Sequence, residues 1–231
     1  MNDIIGIIGA MDIEVDELIA VMTEKEIKTI SSINFVKGKI YDKNVVVAKC
    51  GIGKVFAAIC AQTMILEYNP KCIINSGVSG ALSDNLSIMD TVIADKVVQH
   101  DMDTSPLGDP KGLISGINII YINADNDLSE KIENSAKDLN LNVNRGIIAS
   151  GDQFIANENK KLEILNNFNA ISCEMEGASI GQVCYVNSIP FAIMRTISDG
   201  KGEAIDYNTF AKSAAEQSIK IIKNFLNNYE V

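Results

Sequence analysis

Basic charge is scarce in this chain. Its 231 residues carry 20 Lys and Arg against 30 Asp and Glu, for a net charge of −10. Proteins that bind nucleic acid or anionic membranes carry a basic footprint, so neither partner is expected. Arg145 and Arg195 are the only arginines, which argues against an arginine clamp for phosphate. Histidine occurs once, as His100. No Ser-His-Asp constellation or histidine-based metal set can be assembled around it, and a lone histidine is more often structural than catalytic. Cys50, Cys60, Cys72, Cys173 and Cys184 form no C-x-x-C pair and lie in apolar stretches. They read as buried free thiols in a reducing cytosol, without metal spacing. No segment is long and apolar enough to span a bilayer and the N-terminus has no basic leader, so a cytoplasmic protein is expected.

What the chain does have is apolar bulk, 47% of its residues. That suffices for one core and a single domain over residues 1–231. Apolar runs predict strands at 4–8, 35–40, 44–50, 72–76, 91–98, 143–149, 170–173 and 191–197. Helical spacing predicts helices at 12–22, 54–68, 128–139, 177–186 and 207–226. The alternation implies an α/β domain with a parallel or mixed sheet and helices on both faces. Residues 100–116, with two prolines and three glycines, read as a surface loop.

Ligands of open α/β sheets bind beyond the carboxyl ends of the strands. The first strand lies in "GIIGAMDIEVDEL", where Met11, Asp12 and Glu14 stand in place of a G-x-G-x-x-G cradle. "GVSGAL", "SGDQF", "EMEG" and "SDGKG" follow later strands, and acids recur at these exits. On the helix at 12–22, Val15, Leu18, Ile19 and Met22 form the apolar sector, and Glu14 falls inside its margin. Read alone, Glu14 is either a first-turn acid favoured by the helix dipole or a functional group. "CGIGKV" lacks P-loop spacing and reads as a tight strand-to-helix turn. "SGVSGAL" reads equally as a turn or as backbone brought close to a ligand.

Taken in order, "GIIGAMDIEV", "CGIGKVFAA", "INSGVSGAL", "SGDQFIA", "EMEGASIGQVC" and "FAIMRTISD" resemble the 5′-methylthioadenosine/S-adenosylhomocysteine nucleosidases, members of the purine nucleoside phosphorylase-like superfamily. The resemblance runs from Gly6 to the last helix. It implies a three-layer α/β/α sandwich with a central mixed sheet. It also implies a homodimer whose neighbouring subunit lies near the 5′ pocket, and no metal or organic cofactor. The implied reaction is irreversible hydrolysis of small-molecule 5′-thioadenosines to adenine and a 5-thioribose. In that frame Asp199 is the acid that protonates purine N7 and Glu14 activates water. Glu176 holds the ribose hydroxyls and Met175 packs on the sugar. Phe154 stacks on adenine while the Ile155 backbone reads the purine edge. Gly80 and Ser198 line the purine side, and Met11 and Ile52 the ribose and thioalkyl side, with Tyr207 or Phe210 covering the thioalkyl end.

Two departures accompany the resemblance. Val78 stands where the family often has serine, and residues 104–116 lack the aromatics that the neighbouring subunit often contributes there. Competing readings are a phosphorylase using phosphate in place of water, and a silent nucleoside sensor. An inward Glu14 would repel phosphate, and the retained pair of acids gives the sensor no support.

Overall fold

The computed structural model describes residues 3–200 and 204–228, and the side chains of all of these except 204–206. Ten strands and six α-helices follow one another along the described chain. The first half contains β1 (Ile5–Gly9), α1 (Asp12–Val21), β2 (Thr23–Ile30), β3 (Ile33–Ile40), β4 (Lys43–Lys49), α2 (Lys54–Tyr68) and β5 (Cys72–Ala81). The second contains β6 (Thr91–Gln99), β7 (Tyr121–Asn123), α3 (Asn126–Lys137), β8 (Val143–Ser150), α4 (Glu158–Phe168), β9 (Ala170–Glu174), α5 (Gly177–Asn187), β10 (Phe191–Asp199) and α6 (Ala204–Asn228).

The strands form one mixed sheet that helices cover on both sides. Period-two alternation decides which helix each strand residue meets. Ile5, Ile7, Val45, Val47 and Ile74 face α1, α3 and α6 through Leu18, Ile132, Ile222 and Phe225. Ile4, Ile8, Val46, Ala48 and Ile73 face α2 and α5 through Ala57, Cys60, Met64, Ala178 and Cys184. Gly6 lets α2 approach, since a Cβ there would lie 2.5 Å from the Met64 sulfur. The five cysteines are buried free thiols, as read from their apolar settings. No described helix is long and apolar enough to cross a membrane.

Several features differ from the sequence expectations, among them β7 and α4, which no expected strand or helix covers. β2, with sequence TEKEIKTI, pairs antiparallel with β3 although all but its last residue are exposed. Such a strand carries no apolar signal. β5 runs through "GVSGA" to Ala81, so these residues are extended strand and not a turn. Finally, the sheet closes on itself. β5 pairs with β10, β10 with β6, β6 with β8, β8 with β9, and β9 again with β5. β5 belongs both to this ring and to the open arm β1-β4-β3-β2. The carboxyl ends of β1, β5, β9 and β10 thereby converge on one rim.

Candidate active site

That rim encloses a cavity of about 320 Å³. Glu14 and Asp199 line it, as do Met11, Ile52, Gly80 and Ser198. So do Phe154, Ile155, Met175 and Glu176. The structure therefore brings these ten residues together around one cavity.

Glu14 lies in the first turn of α1 and is 4% exposed. Its Oε2 accepts from the backbone N–H groups of Ala10 (2.7 Å) and Met11 (3.0 Å), and its Oε1 from that of Val78 (3.0 Å). The Met11 bond is the backward half of a capping box: a glutamate in the first turn satisfies the N–H at the helix start. Burial pushes the Glu14 carboxyl above the usual range, against the opposing pull of Arg195 and the three N–H donors. A desolvated but well-held carboxylate is a competent proton acceptor.

The two glycines of "SGVSG" make room for the two acids. A Cβ on Gly77 would lie 2.3 Å from Glu14 Oε1, and one on Gly80 would lie 2.7 Å from Asp199 Oδ2. Neither position needs a left-handed backbone; the requirement is space. The footholds are three residues apart on β5, about 10 Å of extended chain. Beside Gly80 the β10–β5 register slips between Ile197 and Asp199. Such an irregularity re-aims a side chain out of the sheet. Ser198 Oγ then donates to Asp199 Oδ1 at 3.0 Å.

Glu176 opens α5, and its Oε1 accepts from the Gly53 N–H at 2.8 Å. Burial and the neighbouring Glu174 push its carboxyl up to about 8. Gly53 has φ +100°, a conformation that suits glycine, and a Cβ there would lie 3.1 Å from Asp152. The "CGIGKV" turn is thus the element that delivers an N–H to Glu176.

Phe154 is 51% exposed at the cavity mouth. Its ring meets that of Tyr207 edge-on, with centroids 5.5 Å apart and planes at 77°. The Tyr207 hydroxyl donates to the Met11 sulfur at 3.3 Å. These three side chains form the outer wall. Phe210, the other residue considered for covering the thioalkyl end, is not among the lining residues.

Sequence reasoning missed the charge beneath the floor. Arg195 is 2% exposed and ion-pairs with Glu174. Its guanidinium also donates to the carbonyl oxygens of Asn75 (3.1 Å) and Met194 (3.0 Å), and to Asn75 Oδ1. Glu174 in turn accepts from the N–H groups of Glu176 (3.0 Å) and Gly177 (2.8 Å) and from the Ser150 hydroxyl. The available signal was an arginine inside the apolar run "FAIMRTI", because a buried charge must be paired. Ser79, beside Val78, also lines the cavity, and its enclosed Oγ has no hydrogen-bond partner among the described residues. His100 does not line the cavity, and burial holds its imidazole below the usual range. Among the described residues no group of three or more His, Cys, Asp or Glu is placed to hold a metal ion.

Comparison with known proteins adds to this geometry. The model of the phosphorylase superfamily matches residues 4–227. The 5′-methylthioadenosine/S-adenosylhomocysteine nucleosidase of Shewanella loihica is 36% identical over 96% of this chain and 98% of its own. The crystal structure of the nucleosidase of that name from Neisseria meningitidis, in complex with methylthio-immucillin-A, superposes with a TM-score of 0.94 at 30% identity, covering 98% of this chain and 100% of that one. The native futalosine hydrolase of Helicobacter pylori superposes with a TM-score of 0.93 at 32% identity, covering 99% of each chain.

Proposed function

The chain belongs to the 5′-methylthioadenosine/S-adenosylhomocysteine nucleosidase family of the phosphorylase superfamily, and from that premise we propose that its cavity hydrolyses the N-glycosidic bond of these nucleosides with two carboxylates. One observation carries the assignment of roles. Glu14, from α1, and Asp199, from β10, enter a single cavity over separate glycines of β5.

Adenine is a poor leaving group as an anion, so it must be protonated as it departs. Asp199, on the purine side with Gly80 and Ser198, donates to N7. The C1′–N9 electron pair passes to the base, and the sugar becomes oxocarbenium-like. Water attacks C1′ from the opposite face while Glu14 takes its proton. The arrangement is that of an inverting glycosidase, whose carboxyl groups are set apart to admit water. Glu176 accepts from the ribose hydroxyls, Met175 packs on the sugar, and Phe154 stacks on the base above the Ile155 backbone. Met11 and Ile52 line the 5′ end, where Tyr207 closes the wall. The Glu14 carboxylate, until it takes the proton from water, stabilises the developing positive charge of the sugar.

Phosphate is disfavoured as the nucleophile. Arg195, the cation beneath the cavity, is committed to Glu174 and Asn75. Liquid chromatography of free adenine decides between the two. Release of adenine from 5′-methylthioadenosine and S-adenosylhomocysteine is expected at the same rate with and without phosphate. A strict phosphate requirement would overturn the hydrolase reading. Including 5′-deoxyadenosine and a futalosine-type nucleoside in the panel defines the range of 5′ groups accepted.

We further take residues 1–231 as one nucleosidase domain, supported by the continuous sheet. A cytoplasmic setting is supported by five unpaired thiols. A homodimer is supported by Ile52, Val55, Phe56 and Ile59, which expose apolar surface beside the cavity mouth. Light scattering coupled to size-exclusion chromatography tests the dimer: a monomer at micromolar concentration would refute it.

A further inference from the structure

Lys161 occupies a position where its helix calls for an apolar residue. On α4, Lys161, Ile164 and Phe168 form the buried stripe, while Leu162 is 51% exposed. Lys161 itself is only 3% exposed. Burying an ammonium is costly unless an acceptor meets it. The acceptor here is the carbonyl oxygen of Gly200, the residue immediately after Asp199. Lys161 and Gly200 share the lining of a second cavity with Leu82 and Ser83. Cys173, which lines the active cavity, feels the charges of both Asp199 and Lys161.

The location of this contact gives it a consequence. Up to Ile197, β10 is held in register by β5, and the register then slips at Asp199. The side chain of Asp199 is steadied by Ser198 and by the space over Gly80. Lys161 grips the carbonyl oxygen of Gly200, one residue beyond Asp199. We propose that Lys161 is a positioning residue for the leaving-group acid: it anchors the Gly200 carbonyl and so aims the Asp199 carboxyl at the purine. This rests on the assignment of Asp199 given above. Lys161 touches no substrate and acts only through Asp199. Misplacement of a reacting group by about 1 Å can cost on the order of 10²-fold in rate.

The test separates aiming from folding by using a ligand with nothing to protonate. 5′-Methylthio-7-deazaadenosine carries C–H in place of N7, so its affinity does not depend on an Asp199–N7 contact. Lys161→Met and Lys161→Gln are compared with the wild-type full chain for turnover of 5′-methylthioadenosine and for the Kd of the deaza analogue by calorimetry. Both variants are expected to lose about ten- to a hundredfold in kcat. KM and the deaza Kd should stay within about threefold of wild type, because those contacts lie elsewhere in the cavity. The proposal is overturned by a kcat within about twofold of wild type, by a deaza affinity that falls in step with kcat, or by loss of the folded state in both variants. Failure of the wild type to release adenine would refute the functional reading instead.

Discussion

Replacing Gly77 by alanine changes one hydrogen into a methyl group at the point where β5 meets Glu14. The new carbon would lie 2.3 Å from Oε1 and 2.8 Å from Cδ. Non-bonded contact requires about 3.5 Å, so the carboxylate must retreat by roughly 1 Å. Glu14 cannot retreat and keep its bonds from Ala10, Met11 and Val78, at 2.7, 3.0 and 3.0 Å. A displaced general base is expected to cost on the order of 10² in kcat, the lower end of what such a group contributes. Overpacking of this kind typically costs about 1–3 kcal/mol of stability. For a chain of this size that is a fall in Tm of about 2–4 °C per kcal/mol. The assay is adenine release at saturating substrate, with Tm from calorimetry. A second measurement isolates the cause: in a Glu14→Gln background, adding Gly77→Ala should reduce kcat little further, since both act on one group. A folded Gly77→Ala protein with kcat within about threefold of wild type would show that the strand does not set the position of the base.

Asp199→Asn is expected to keep the fold and abolish turnover of 5′-methylthioadenosine, and near-normal rates would remove it from the acid role. Glu14→Gln should be nearly inactive yet still bind substrate; loss of binding by titration would make Glu14 structural. Arg195→Met leaves Glu174 buried without its cation and should destabilise by about 3–5 kcal/mol, read as a lowered denaturant midpoint; an unchanged midpoint would contradict the pairing. Glu176, raised from 4.5 to about 8, binds its proton more tightly folded than unfolded. Its contribution to stability is therefore complete below 4.5 and lost as pH rises through about 8, so Tm should fall between pH 5 and pH 8, and Glu176→Gln should flatten that slope.

The two kinds of legibility in this chain have different physical origins. Glu14 could be placed on the inward side of its helix because helical periodicity is local and α1 obeys it. The strands that pack on both faces were legible as apolar runs for the same reason. β2 was not, because a strand whose side chains face solvent has no pattern to read. The sheet's closure through β5 and β10 depends on which distant strands pair, which spacing within a segment does not encode. The glycines of "SGVSG" were visible, but their purpose was not: it lies in the side chains of Glu14 and Asp199, 63 and 119 positions away from Gly77 and Gly80. The Arg195–Glu174 pair falls in the same class, since an arginine in an apolar run announces a partner without saying which one.

Because both glycines lie on one strand, β5 works as a ruler for the two-carboxylate reaction proposed above. On that proposal the span from attacking water to departing base is written into backbone spacing, and no loop can lengthen one half of it. An inserted or deleted residue between Gly77 and Gly80 would misplace one acid relative to the other in a single step. The outer wall of Phe154, Tyr207 and Met11 is under no such constraint, for it rests on side-chain contacts from three separate segments. In this architecture the breadth of accepted 5′ groups can drift while the distance on which bond cleavage depends stays unchanged.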